Sequence, residues 1–288
     1  MADLYLSAVL LGLGFASLSI GIFISMRIFN IPDITTDGSF TLGGAVTAVM
    51  LSNGYNAWLS LPIVFLIGAC AGSLTGLIHT RLKVNALLSG ILVMTALYSV
   101  NLAIMGRSNI PLVNIPSIYN SIQLVSDNLI QELIILSFIV LILWIKISWL
   151  LKTDFGLAMR ATGNNEVMIR ALGVNTKNMK TIGLALANGF TALSGYLITQ
   201  IQGYADINMG IGIVILGLGS VMIGEIVLKL FHIHSIPIHL LAVIGGSILF
   251  RIILAFALSI GIDALYLKLV VSVFVLLIVS IPNLKRTE

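Results

Sequence analysis

The sequence predicts an all-α, polytopic integral membrane protein with about nine transmembrane helices, within a range of about eight to ten. Three observations carry this. Of 288 residues, 58% are hydrophobic and only 9% charged, where an ordinary soluble domain carries about 25% charge. Mean hydropathy is +1.10. Ionised side chains are missing from residues 4–26, 38–80, 84–106, 181–205 and 230–250. Each gap reaches the roughly 20 apolar residues a spanning helix needs, and the second is long enough for two. The same numbers exclude a soluble globule, a disordered chain and a coiled coil.

In order, the expected helices cover 4–27, 38–52, 58–79, 85–106, 129–151, 180–202, 207–230, 236–258 and 264–282. The first follows an N-terminus without a basic stretch, so a retained span is expected rather than a cleaved signal. The second is short and opens among polar residues. The third carries Gly68, Gly72 and Gly76 on one face, a spacing that lets another helix backbone approach closely. It also holds the single cysteine, Cys70, which excludes an intrachain disulfide and reads as a small buried packing residue. The eighth contains Arg251 and is the least simple span. Two connections exceed a tight turn: an outer loop, 107–128, with Pro111 and Pro116, and an inner loop, 152–179, with a helical pattern and a basic face. Nothing else is long enough for a soluble domain, so residues 1–288 read as one membrane domain.

Placing 152–180 in the cytoplasm puts Arg27, Arg81, Lys83, Lys146, Lys152, Arg160, Arg170, Lys177, Lys180, Lys229, Lys285 and Arg286 inside, 12 of the 15 basic residues. The positive-inside bias then orients the N-terminus outward and the C-terminus inward. The net charge of +4 records this orientation in the lipid bilayer rather than nucleic-acid binding.

A faint repeat runs through the chain. Asp33-Ile34-Thr35-Thr36-Asp37-Gly38 precedes the second helix, and Asp206-Ile207-Asn208-Met209-Gly210 precedes the seventh. In the expected topology the two elements face opposite sides, the geometry of an inverted repeat in transporters. Carboxylates this close to the bilayer are costly and rarely idle. Asp37 and Asp206 could simply cap helix N-termini. Alternatively, these helix breaks line a polar substrate path formed by Asp33, Asp37, Ser39, Asn188, Gln200, Gln202, Asp206, Asn208 and Gly210. Catalytic residues are not expected. No P-loop, His-Glu-x-x-His or Gly-x-Ser-x-Gly occurs, so the chain itself binds no ATP by that route. His232, His234 and His239 are joined by no Cys or carboxylate in their loop. They read as interfacial polar residues, and no metal is expected.

The inner loop is the most specific feature. Lys152-Thr153-Asp154-Phe155-Gly156 and the run to Asn165-Glu166, Arg170, Gly173 and Val174 suggest a short helix, a Gly-Asn turn and a second short helix. The matching Thr153, Gly156, Arg160, Ala161, Gly163, Asn164, Arg170, Gly173 and Val174 resemble the coupling loop of ABC-importer permeases of the branched-chain amino acid and ribose group. The run Gln200–Gly212 with Ile223-Gly224-Glu225, together with Asp37-Gly38-Ser39-Phe40 and 246–251, is similar to a subgroup of permeases paired with tryptophan- or tyrosine-type substrate-binding lipoproteins. The resemblance covers nearly the whole chain, though the segment 232–239 departs from it.

The resemblance implies a permease subunit of an ATP-driven importer for a small solute, an aromatic or branched-chain amino acid, in the bacterial inner membrane. Its partners would be a second permease copy, two ABC ATPase subunits inside and a substrate-binding lipoprotein or periplasmic protein outside. ATP and Mg would sit on the partner ATPase and no cofactor on this chain. Phe155 and the matched loop residues would couple to that ATPase. An ion-coupled secondary transporter is the alternative: it would share the repeat and the acids but would not need the docking loop.

Overall fold

A computed structural model describes residues 2–120, 127–231 and 235–284. Part of the 107–128 loop, His232, His234, Lys285 and Arg286 lie outside the described residues. The helices are α1 (Ala2–Ile22, continued by the π-helical turn Phe23–Ile28), α2 (Thr35–Ser52), α3 (Ala57–Arg81), α4 (Ala86–Met105), α5 (Asn128–Lys152), α6 (Asp154–Asn164), α7 (Glu166–Ala171), α8 (Thr176–Gln202), α9 (Ile213–Phe231), α10 (Ile236–Ser259) and α11 (Leu267–Leu284). Two three-residue strands, β1 (Asn109–Pro111) and β2 (Tyr204–Asp206), pair antiparallel. The sequence pattern did not predict them.

Among the described residues, six helices are long and apolar enough to cross a membrane: α1 with its π turn, α3, α4, α5, α8 and α10. The other three expected spans correspond to α2, which opens among polar residues, and to α9 and α11. The segment expected at 207 does not start its helix until Ile213, because residues 206–212 form turns closed by Met209 N–H to Asp206 O and Ile211 N–H to Asn208 O. A positive φ of 84° at Gly212 ends that loop, a conformation that disfavours any residue with a Cβ.

The layers follow from burial. The six spans are apolar all round, as a bilayer requires, so apolarity alone does not say which of them faces lipid. Burial does: α2, outside those six, is buried along nearly its whole length, including Thr35, Thr36, Ser39 and Thr47. α8 packs along it, and α1 and α8 are almost as enclosed, while α3, α4 and α5 present large exposed apolar side chains such as Leu66, Leu92, Phe138 and Trp149. Cys70 belongs to that exposed layer, which corrects its expected burial: it points away from the glycine face of α3.

That glycine face meets α8. A Cβ at Gly68 would press on Ala192 and Asn188 O, one at Gly72 on Leu184 O, and one at Gly76 on Thr181. The descending partner numbers make α3 and α8 antiparallel and place the close contact within this chain. Gly72→Leu is expected to separate the two backbones and to lower stability by about 1–3 kcal/mol, read as a lower melting temperature in detergent. An unchanged melt would show that the glycines are not needed there.

The helices also pack as two units. α1 runs antiparallel to α8: Ser17 Oγ donates to Phe190 O, Ser194 Oγ to Gly14 O, and Gly21 abuts Ala187. α1 packs on α10 as α8 packs on α3, and α9 packs on α10 and α11 as α2 packs on α3 and α4. Each contact of α1–α4 thus has a mate in α8–α11, with polarity reversed at the central pair.

Candidate functional site

Three clusters surround the helix breaks. The first is buried. Asp33 accepts from Thr35 N–H at 2.9 Å and from Asn188 Nδ2 at 2.7 Å. Asn188 Oδ1 accepts from Ser39 Oγ at 2.7 Å, and Asn188 Nδ2 also donates to Leu184 O. Thr35 and Thr75 hydroxyls meet at 2.8 Å. Asp33, Ser39 and Asn188 are at most 1% exposed, and the polar groups at this centre satisfy one another. Three predicted path residues therefore come together, but as a lock that ties the connection before α2, and α2 itself, to α3 and α8.

The second cluster joins the two breaks. α9 begins after Gly210-Ile211-Gly212, which offers no Ser, Thr, Asp or Asn to cap its free N–H groups. Asp37, from the first turn of α2, does so instead: its carboxylate accepts from Gly212 N–H at 2.8 Å and Val214 N–H at 2.9 Å. Gly210 packs so closely on Asp37 O and Thr41 Oγ1 that a Cβ would collide. A capping role for Asp37 was one of its two readings; that the capped helix is the other repeat's was not legible. Substituting Asp37 by Ala should cost about 1–2 kcal/mol of cap and speed amide exchange at residues 212–214. Exchange rates equal to the native ones would remove the cross-cap.

The third cluster lines a cavity of 620 Å³ that holds Gln202, Asp206 and Asn208. Arg251 and Lys268 also face it, with Phe15 and Phe40, and these four were not among the predicted path residues. Gln200, though only two residues from Gln202, lies elsewhere: its Oε1 accepts from Ile118 N–H at 2.8 Å and holds the 107–128 loop down. Helical spacing explains the split, since residues two apart point to opposite faces.

At the other end of the bundle α6 and α7 form an arm. Thr153 caps α6, its Oγ1 accepting from Gly156 N–H, and Asn165 caps α7, its Oδ1 accepting from Met168 N–H. Met159 and Thr162 are buried, while Phe155 and Ala161 are partly covered. A Cβ at Gly163 would strike Ile28 O and Phe29 Cα, and Asn30 Nδ2 donates to Gly163 O. α6 therefore rests directly on the π-helical turn of α1. Arg160 and Asn164 line a 310 Å³ pocket with Arg27 and His239. Arg27 pairs with Glu225 of α9 at 2.8 Å. Gly173, at φ 88°, ends α7 with its N–H on Arg170 O. Leu157, Val167, Met168 and Leu172 stand out from the arm, each 56% exposed or more.

Glu166 ties the arm to α8, accepting from Lys180 Nζ, Arg170 Nη2 and Thr176 Oγ1. The Lys180 contact holds its carboxyl below the usual glutamate value of 4.5, against the opposing effect of partial burial. A folded pKa below the unfolded one contributes stability above 4.5 that is lost as pH falls through the lowered value. The protection factor of the amides over 166–172, their exchange rate relative to the intrinsic rate at the same pH, should therefore fall in acid, and at neutral pH in Glu166→Gln. A protection factor unchanged by both would contradict the tie.

Broken helices that meet inside a bundle of spanning helices, linked to an exposed arm at one end, define a membrane transport permease. The chain belongs to the family described as branched-chain amino acid transport system / permease component, which matches residues 4–280. It is therefore a multi-pass membrane protein. It is 36% identical over 267 residues to a tyrosine transport system permease protein of Clostridioides difficile, covering 93% of this chain and 87% of that one. It is also 36% identical over 273 residues to an uncharacterized protein of Rickettsia prowazekii, covering 94% of each. A probable branched-chain amino acid transport permease of Methanocaldococcus jannaschii is 26% identical over 245 residues, 81% of this chain and 73% of that one. No solved structure gives a significant match.

Proposed function

We propose that the chain is the permease subunit of an ATP-driven importer of an amino acid, aromatic or branched-chain, in the bacterial inner membrane. Two copies would enclose the path, two ABC ATPase subunits would dock on the α6–α7 arms inside, and a substrate-binding lipoprotein or periplasmic protein would dock outside. ATP and Mg belong to the ATPase. The family and the tyrosine permease relative support the solute class.

The observation that carries the reading is mechanical. The arm exposes Leu157, Val167, Met168 and Leu172 outside the spanning helices, where lipid tails do not cover them, and exposed apolar surface of that kind supports an interaction site. Its helix α6 touches the π turn of α1 at Gly163, and π turns concentrate at functional sites. From there a short connection leads to Asp33, α2 and the Asp37 cap on α9. Closure of the ATPase pair would push α6 against this turn and shift both helix starts together. The shift is driven only as far as ATP and the loaded binding protein bind one state better than the other. Co-purification tests the assembly: the permease should retain its ATPase partner, and Leu157→Asp with Val167→Asp should release it. Retention by that variant would place the ATPase elsewhere.

A further inference from the structure

The 620 Å³ cavity between α1, α2, α8, α9, α10 and α11 falls in the range of small-molecule sites, about 300–1,000 Å³. Its walls are chiefly apolar and include Phe15 and Phe40, whose rings stack at 5.7 Å. Arg251 enters from the middle of α10, 16 residues into a 24-residue span. Its guanidinium carbon lies 3.9 Å from the Phe15 ring centre, and among the described residues no carboxylate pairs with it. Asp206 faces the same space, yet it is engaged by Asn109 Nδ2 and Asn208 N–H. Lys268 stands exposed at the rim.

A cation inside the membrane costs at least about 2.5–3.5 kcal/mol and is normally paired. The Phe15 ring meets the guanidinium through a cation–π contact and accepts none of its hydrogen bonds, which leaves the N–H groups for a ligand. Those groups match a carboxylate bidentately, in a way that lysine does not. With two cations and one carboxylate, the cavity has an excess positive charge, and it offers a separate acceptor for an ammonium group. We infer that Arg251 receives the carboxylate of a zwitterionic amino acid in this cavity, with Asp206 facing its ammonium group and the Phe15–Phe40 stack its side chain. The assignment rests on the importer reading above and specifies where the solute is held.

The test uses the permease–ATPase complex in nanodiscs without binding protein. Phenylglyoxal labelling of Arg251 is followed by peptide mass spectrometry, with Arg107 as internal control. L-Tyrosine and 3-(4-hydroxyphenyl)propionate, which keep the carboxylate, should slow labelling of Arg251 several-fold and leave Arg107 unchanged, whereas tyramine, which lacks it, should not. No protection, or equal protection by tyramine, overturns the assignment. In proteoliposomes with binding protein, Arg251→Lys should raise the KM for uptake about tenfold, since the charge stays and the fork geometry goes; an unchanged KM also overturns it. Uptake and protection by leucine in place of tyrosine would support the site and change only the side-chain preference. Amino-acid uptake with Arg251 unprotected would sink the site alone. Uptake of a neutral sugar and no amino acid would sink the importer reading with it.

Discussion

Replacing Gly163 by Val is expected to abolish solute uptake while ATP hydrolysis by the assembled complex continues. The added side chain would sit against Ile28 O and Phe29 Cα, backbone atoms that cannot rotate aside. α6 would have to lift off the π turn of α1, or the turn would have to unwind. The exposed crest of the arm lies on other residues, Leu157, Val167, Met168 and Leu172, so docking of the ATPase is expected to survive. What is lost is the mechanical contact between arm and bundle. Uptake should fall by at least about tenfold, the equivalent of roughly 1.4 kcal/mol of coupling, with hydrolysis near the native rate. Coupled uptake at native levels would show that force does not pass through this contact. The companion substitution Gly173→Ala strains a φ of 88° but touches nothing, so it should cost about 1 kcal/mol locally and leave coupling largely in place.

The second large effect is expected at Asp33. Asp33→Ala leaves Thr35 N–H without its acceptor and removes one of two acceptors from Asn188 Nδ2. A buried unsatisfied polar group costs about 1–3 kcal/mol, so the melting temperature should drop by several degrees and the start of α2 should loosen. A double-mutant cycle with Asn188→Ala separates a network from two independent losses: the double variant should cost clearly less than the sum of the singles. Strict additivity would mean that the Asp33–Asn188 contact carries no coupling. Asp206→Asn offers the contrast. Asp206 sits at a cavity wall in a turn of its own, so the melt should barely move while uptake changes.

These two residues mark how far the sequence could be read. Asp33 and Asp206 occupy matching places before α2 and α9, and the repeat made them look alike. One is sealed by Asn188, 155 residues away in the chain, and the other lines a cavity. Burial by distant partners separates them, and no local pattern carries that information. The lipid-spanning helices were legible because missing charge is a local property. α2 and α9 were legible as helices but not in length or setting, since what distinguishes them is the protein packed around them. The arm was readable down to its caps, Thr153 and Asn165, because capping is decided within a few residues. Arg251 was visible as an oddity within a span. Its relation to Phe15, Lys268 and Asp206 depends on the packing of α10 against α1 and on the turns of residues 206–212. Gln200 was misgrouped with Gln202 for want of the same information: the 107–128 loop that claims it joins the chain 82 residues earlier.

The central claim is that this chain moves an amino acid by coupling its arm and helix breaks to a separate ATPase. Its most direct test is uptake of radiolabelled L-tyrosine and L-leucine into proteoliposomes containing the permease, its ATPase and its binding protein. The account predicts accumulation of at least one of them that requires internal-side ATP and external binding protein and is indifferent to proton and sodium ionophores. Accumulation by the permease alone, following an ion gradient without ATP, would contradict it and establish an ion-coupled transporter.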